Sequence, residues 1–201
     1  MVRFLFIILL MSVFVSFSKG QNPVFFTDKI ARQESKNRSQ KSAFTESINY
    51  AETDFIYQRM EWEINPEVRY ISGKITSHFK SNIESLTEIV FDLSDSLQVD
   101  SIWHYKQNIN FTHENDKITL PLIPVLPKNK IDSVTVFYKG IPPDTGFGSF
   151  SKTTHGANKT PNIWTLSEPY GAKEWWPCKQ SLVDKIDSID IIVSSPETYR
   201  T

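Results

Sequence analysis

The chain of 201 residues contains one cysteine, Cys178, and seven glycines. Without a second cysteine there is no intrachain disulfide, so a domain of this size must rely on an apolar core. No His-Glu-x-x-His occurs, and His78, His104, His113 and His155 have no His or Cys partner at the spacing of a local zinc site. No Gly-x-Ser-x-Gly elbow is present, and Gly146-Phe147-Gly148 opens no helix, which makes it a loop and not a phosphate cradle. No catalytic residue and no metal ligand can therefore be assigned. Charge of one sign is also lacking: 22 basic residues face 23 acidic ones, for a net charge of −1. With no basic stripe and no aromatics interleaved among clustered Lys or Arg, nucleic-acid binding has no electrostatic footprint.

Long apolar runs are scarce as well. The one near the start, Phe4 to Phe17, follows Arg3 and precedes Ser18-Lys19-Gly20, the layout of a signal peptide over residues 1–20. Its length of about 14 residues falls short of the roughly 20 that span hydrocarbon, so a membrane link would come only through this segment left uncleaved. The chain is expected to be exported: secreted, periplasmic or at the cell surface. Removing the leader leaves about 181 residues carrying about −3, one ordinary domain. Residues 21–50 are polar and aperiodic and read as a flexible lead-in. Asn37-Arg38-Ser39, Asn110-Phe111-Thr112 and Asn158-Lys159-Thr160 match the glycan acceptor pattern.

From residue 51 onward the grammar is that of strands. Ile56, Gln58, Met60, Trp62 and Ile64 share one face of a period-two stretch, and Asn65-Pro66-Glu67 turns it into a second stretch with Ile71, Gly73, Ile75, Ser77 and Phe79 on one face. Ile89, Phe91 and Leu93 follow, then Leu97, Val99, Trp103 and Tyr105 at odd positions after the turn Ser94-Asp95-Ser96. Pro121, Pro124 and Pro127 mark an edge in the next stretch. Val134, Val136 and Tyr138 alternate before Gly140, and Ser188 to Val193 reads as a last strand covered on both faces. No stretch has convincing helical spacing. The fold is predicted to be all-β, a mainly antiparallel sandwich or saddle-like sheet.

Against this background the run from Trp164 to Cys178 stands out. It packs Glu168, the Trp175-Trp176 pair, Pro177 and Cys178 into a compact stretch unlike a generic surface loop. Glu168 is the leading candidate for a functional carboxylate. Adjacent tryptophans on an extended segment point to opposite faces, so one should enter the core and the other face a partner. Pro177 stiffens the chain, and Cys178 reads as a buried small hydrophobe.

These residues, with Tyr70-Ile71-Ser72-Gly73, Phe137-Tyr138-Lys139-Gly140 and the Gly146-Phe147-Gly148 loop, resemble the amino-terminal β domain of the aminopeptidase N family of zinc metallopeptidases. Thr165-Leu166-Ser167-Glu168-Pro169, then Ala172-Lys173 and Trp176-Pro177-Cys178, is similar to the family's Thr-Gln-x-Glu segment followed by Ala-Arg and Phe-Pro-Cys. Leu166 stands where many members have Gln, Lys173 where they have Arg, and Lys179-Gln180-Ser181-Leu182 replaces an Asp-Glu-Pro run. A lysine gives up the bidentate fork of arginine.

The resemblance implies a division of labour. Zinc would lie in a catalytic domain missing from this chain, which itself needs no cofactor, and Glu168 would bind the free α-amine of a peptide amino terminus. Trp175, Trp176, Pro177 and Lys173 would hold the loop that presents it. Under this reading residues 51–201 are that β domain, incomplete at the C-terminal end, and no hydrolysis is expected from the chain alone. A stand-alone binding module for glycans or peptides, stacking on Trp103, Trp164, Tyr170 and Trp175, is the alternative, and a purely structural or adhesive domain a third.

Overall fold

The computed structural model describes residues 48–144, 149–168, 170–181 and 183–201, which fall in one unit, Lys41–Thr201. The leader, nearly all of the lead-in, Asn37, the Gly146-Phe147-Gly148 loop, Pro169 and Leu182 lie outside the described residues. A short 3₁₀ turn, Ile48–Glu52, crosses the boundary drawn at residue 50, and Tyr50 is buried.

Period-two patterning sets the strands. β1 (Thr53–Ile64) and β2 (Ile71–Ser81) pair antiparallel, and in the turn between them the Asn65 carbonyl and side chain accept the N–H groups of Val68 and Glu67, each at 3.0 Å. Ile71, Gly73, Ile75, Ser77 and Phe79 all face inward, as their spacing predicts. The remaining strands are β3 (Ser85–Asp92), β4 (Leu97–His104), β5 (Gln107–Ile109), β6 (Thr112–Glu114), β7 (Lys117–Pro127), β8 (Ile131–Gly140), β9 (Phe150–His155), β10 (Thr160–Thr165) and β11 (Ser188–Ser194). They form a six-stranded sheet in the order β11-β1-β2-β8-β4-β5, a three-stranded sheet β3-β7-β6, and the hairpin β9-β10.

The two larger sheets face each other across one apolar core. Phe55, Ile75, Phe79, Ile102 and Val136 from one sheet meet Leu86, Ile89, Phe91, Ile118 and Leu120 from the other, with the Phe55 and Phe91 rings 5.4 Å apart. Each such large apolar side chain contributes about 1.5–3 kcal/mol on burial. The architecture is an all-β sandwich, antiparallel everywhere among the described pairings except between β1 and β11.

Three local expectations are corrected. In β1 a register shift between Phe55 and Tyr57 places Phe55, and not Ile56, on the inner face. In β4 a shift between Val99 and Ser101 switches the buried parity from odd to even, so Ile102 and His104 turn inward while Trp103 (43% exposed) and Tyr105 (61%) face out. One extra residue in a strand reverses every side chain after it. The third concerns β11, which is not covered on both faces: it is an edge strand among the described residues, with Ile189 and Ile191 49% and 58% exposed. The prolines of β7 do sit at an edge, because β6 pairs only with Lys117 to Thr119 and leaves that side of the strand open beyond.

Candidate functional site

Beyond β10 the chain continues the hairpin ladder by one bond, Leu166 N–H to the Ser149 carbonyl at 3.2 Å, and then turns. Glu168 is exposed at this turn. No hydrogen bond or ion pair links its side chain to another described residue. The Gly171 N–H closes the turn on the Ser167 carbonyl at 2.8 Å. A glycine is needed there: a Cβ would collide with the Ser149 hydroxyl and stand 3.0 Å from the Leu166 carbonyl. A single 3₁₀ turn, Ala172–Glu174, follows.

That turn changes the fate of the tryptophans. The segment is not extended, so Trp175 and Trp176 do not point to opposite faces; their rings meet edge to face at 6.2 Å. Trp175 is buried against Trp62, 4.8 Å away, and Phe150, 6.1 Å away, while Trp176 is half-buried. Both rings line an apolar groove of about 560 Å³ shared with Trp62, Trp164, Ser167 and Ile191. Ser167, the neighbour of Glu168, thus forms part of its wall.

Four sets of bonds fasten this segment to the sandwich. The buried Tyr138 hydroxyl accepts the Trp62 indole N–H at 2.9 Å and donates to the Trp175 carbonyl at 2.7 Å. Burial drives its ionisation far above the ordinary tyrosine value, so it stays a donor. Its ring lies over β2 at Gly73, where any Cβ would sit 2.5 Å from the ring. Cys178 exchanges two backbone bonds with Asp92, at 2.7 and 3.0 Å, and burial pushes its thiol well above the usual range. It is a packed residue, as its neighbours suggested.

Asp92 itself is buried at the end of β3, where its carboxylate accepts the Tyr50 hydroxyl and the Gln180 N–H, the latter at 2.9 Å. Burial raises its carboxyl above the ordinary value despite those donors. The fourth anchor is Lys173. Its ammonium stands 2.6 Å from Asp116 in the turn between β6 and β7, and its carbonyl accepts the Ser94 N–H at 2.8 Å. Burial opposes the Asp116 charge, but the Lys173 ammonium and the Asp95 N–H outweigh it and hold the carboxyl below its usual range. Pro177, also buried, lies between the Trp pair and the Cys178 bridge.

This arrangement of strands and loop can be placed among known structures. A two-domain M1 zinc metallopeptidase bound to L-arginine superposes with a TM-score of 0.59 at 19% identity, over 73% of this chain and 33% of the other. An M1 zinc metallopeptidase from Deinococcus radiodurans bound to a Tyr-Ser-Ala substrate gives 0.52 at 21%, over 64% and 29%. The fold occurs in M1 zinc metallopeptidases. Yeast LTA4 hydrolase shares it too, with 0.59 at 17% identity over 74% and 24%. No protein-family model and no curated protein matches the sequence, so the likeness is one of fold. The chain spans a third or less of these M1-fold proteins.

Among the described residues no group of three His, Cys, Asp or Glu stands together in a way that could hold a metal ion. Of the stacking platforms of the binding-module reading only Trp164 and the largely buried Trp175 line the groove; Trp103, on β4, and Tyr170 do not. Sequence reasoning missed Tyr138, Asp92, Asp116 and Ser167 as partners of the loop. A signal existed for Tyr138, since a tyrosine at a core-facing strand position must find a bond for its hydroxyl. The same holds for Asp92, a carboxylate at the end of an apolar strand. The departures from the family pattern also have local partners: Lys179 pairs with Asp184 and donates to the Thr53 carbonyl at 2.6 Å, and the Gln180 side chain donates to the Tyr170 carbonyl at 2.7 Å.

Proposed function

We propose that this chain is the amino-terminal β domain of an exported zinc aminopeptidase-like protein, and that Glu168 receives the free α-amine of the peptide substrate. The reading is carried by Glu168 itself: an exposed carboxylate with no described partner, on a turn fastened to both sheets, within a fold occurring in M1 zinc metallopeptidases. A free α-amine is largely protonated at neutral pH, and a charge-assisted bond to a carboxylate is worth about 1.5–3 kcal/mol. Such a bond selects amino termini over internal peptide bonds. Zinc and the attack on the peptide bond belong, on this reading, to a separate catalytic domain. Export rests on Arg3 and the apolar run after it.

The test uses the full-length protein containing this domain. Glu168→Ala should raise KM for an amino-acid 4-nitroanilide by about tenfold to a hundredfold, with folding unchanged. A KM equal to that of the parent protein would refute the amine-anchor role.

A further inference from the structure

Building on that reading, we infer that Ser167 and the indole of Trp175 act as positioning residues that set the direction of the Glu168 carboxylate. The Trp175 indole N–H donates to the Ser167 hydroxyl at 3.0 Å, across eight residues of chain. This bond crosses the turn that carries Glu168, tying the residue before the carboxylate to the far end of the segment. The indole cannot swing, because its ring is buried against Trp62 and Phe150 and its own carbonyl is held by Tyr138. Tyr138 is in turn fixed by the Trp62 N–H. A rigid path therefore runs from β1 and β8 through Trp175 to Ser167.

The Gly171 N–H bond to the Ser167 carbonyl closes the backbone of the turn, and the indole holds its side-chain edge. Ser167 also lines the groove beside the Trp pair, so moving it would shift the mouth of that groove together with the carboxylate. An exposed carboxylate with no described partner takes its aim from its backbone, and the bonds made by Ser167 fix that backbone on one side.

A double-mutant cycle on the full-length protein decides the matter. Ser167→Ala should raise KM for the amino-acid 4-nitroanilide by roughly two- to tenfold with kcat little changed, the scale of one neutral hydrogen bond. Ser167→Thr, which keeps the hydroxyl, should restore the parent value. In a Glu168→Ala background, Ser167→Ala should add nothing, because the group it aims has gone. Trp175→Phe should give the same KM increase as Ser167→Ala. If Glu168→Ala raises KM while Ser167→Ala leaves it alone, or if the two effects multiply, the positioning role is overturned and the amine-anchor reading stands. If Glu168→Ala leaves KM unchanged, that reading falls and this inference with it.

Discussion

β2 buries every second side chain from Ile71 to Ser81, whereas the segment from Leu166 to Gln180 buries its residues in no fixed period. The strand is held by continuous backbone ladders to β1 and β8 and by a row of inward side chains that includes Ile71, Ile75 and Phe79. The loop is held by a few specific bonds: Tyr138 to Trp175, Asp92 to Cys178 and Gln180, Lys173 to Asp116 and Trp175 to Ser167. A sheet face tolerates changes of shape if volume is kept, while a loop built this way is only as exact as each partner.

The sharpest way to test that contrast is at Gly73, where β2 passes under the ring of Tyr138, whose hydroxyl holds the loop. Gly73→Ala would place a methyl 2.5 Å from the Tyr138 ring, and because that atom belongs to a core side chain and not a flexible tip, the ring must move. We expect a loss of about 1–3 kcal/mol in urea unfolding, together with a shift in tryptophan emission as Trp175 loses its anchor. A change in stability with unaltered emission would separate the ring from the loop.

A smaller effect should appear as a slope against pH. The folded Asp92 carboxyl lies above its ordinary value of 3.8 because it is buried. A raised acid binds more protons folded than unfolded, so its contribution is complete below the ordinary value and is lost as pH rises through the raised one. Asp92→Asn removes the charge while leaving an oxygen for Tyr50 and the Gln180 N–H. Stability measured by thermal melting from about pH 4 upward should therefore fall less steeply in the variant. Equal slopes would mean that the Asp92 carboxyl titrates in the folded protein where it does in the unfolded chain, and that burial does not raise it.

The smallest effect is expected at Lys173. Its ion pair with Asp116 is about one-third exposed on each side, so solvent screens it and Lys173→Ala should cost less than about 1 kcal/mol at low salt. The difference should shrink in added salt, as for any partly exposed pair. A loss that persists in salt would assign the role to packing of the lysine stem.

Much of the sheet could be read from spacing. The faces of β2 and β8, the turn at Asn65 and the edge prolines of β7 follow from period-two patterning and the chemistry of proline. What escaped were the two register shifts, because a bulge leaves no mark in composition: Ile56 and Trp103 sit at positions that look inward until one extra residue is inserted before or beside them. The parallel pairing of β11 with β1 was equally hidden, since side-chain alternation is the same in either direction.

At the loop, the residues that draw attention in the sequence were the ones with rare side chains, Glu168 and the Trp pair. The residues that hold them, Tyr138, Asp92 and Asp116, lie 37, 86 and 57 positions from Trp175, Cys178 and Lys173 respectively, and no local pattern connects them. Trp175 does enter the core, but the divergence expected of the two rings was misread because a three-residue 3₁₀ turn, too short to give a periodic signal, bends the backbone ahead of them.

β11 has a practical consequence for anyone handling this polypeptide. Its row of backbone groups and its half-bare isoleucines, Ile189 and Ile191, form a template on which a second molecule could lay a strand. Asp190 is the one charge that β11 itself carries, and Ile191→Lys would add a second beside it and make such pairing harder.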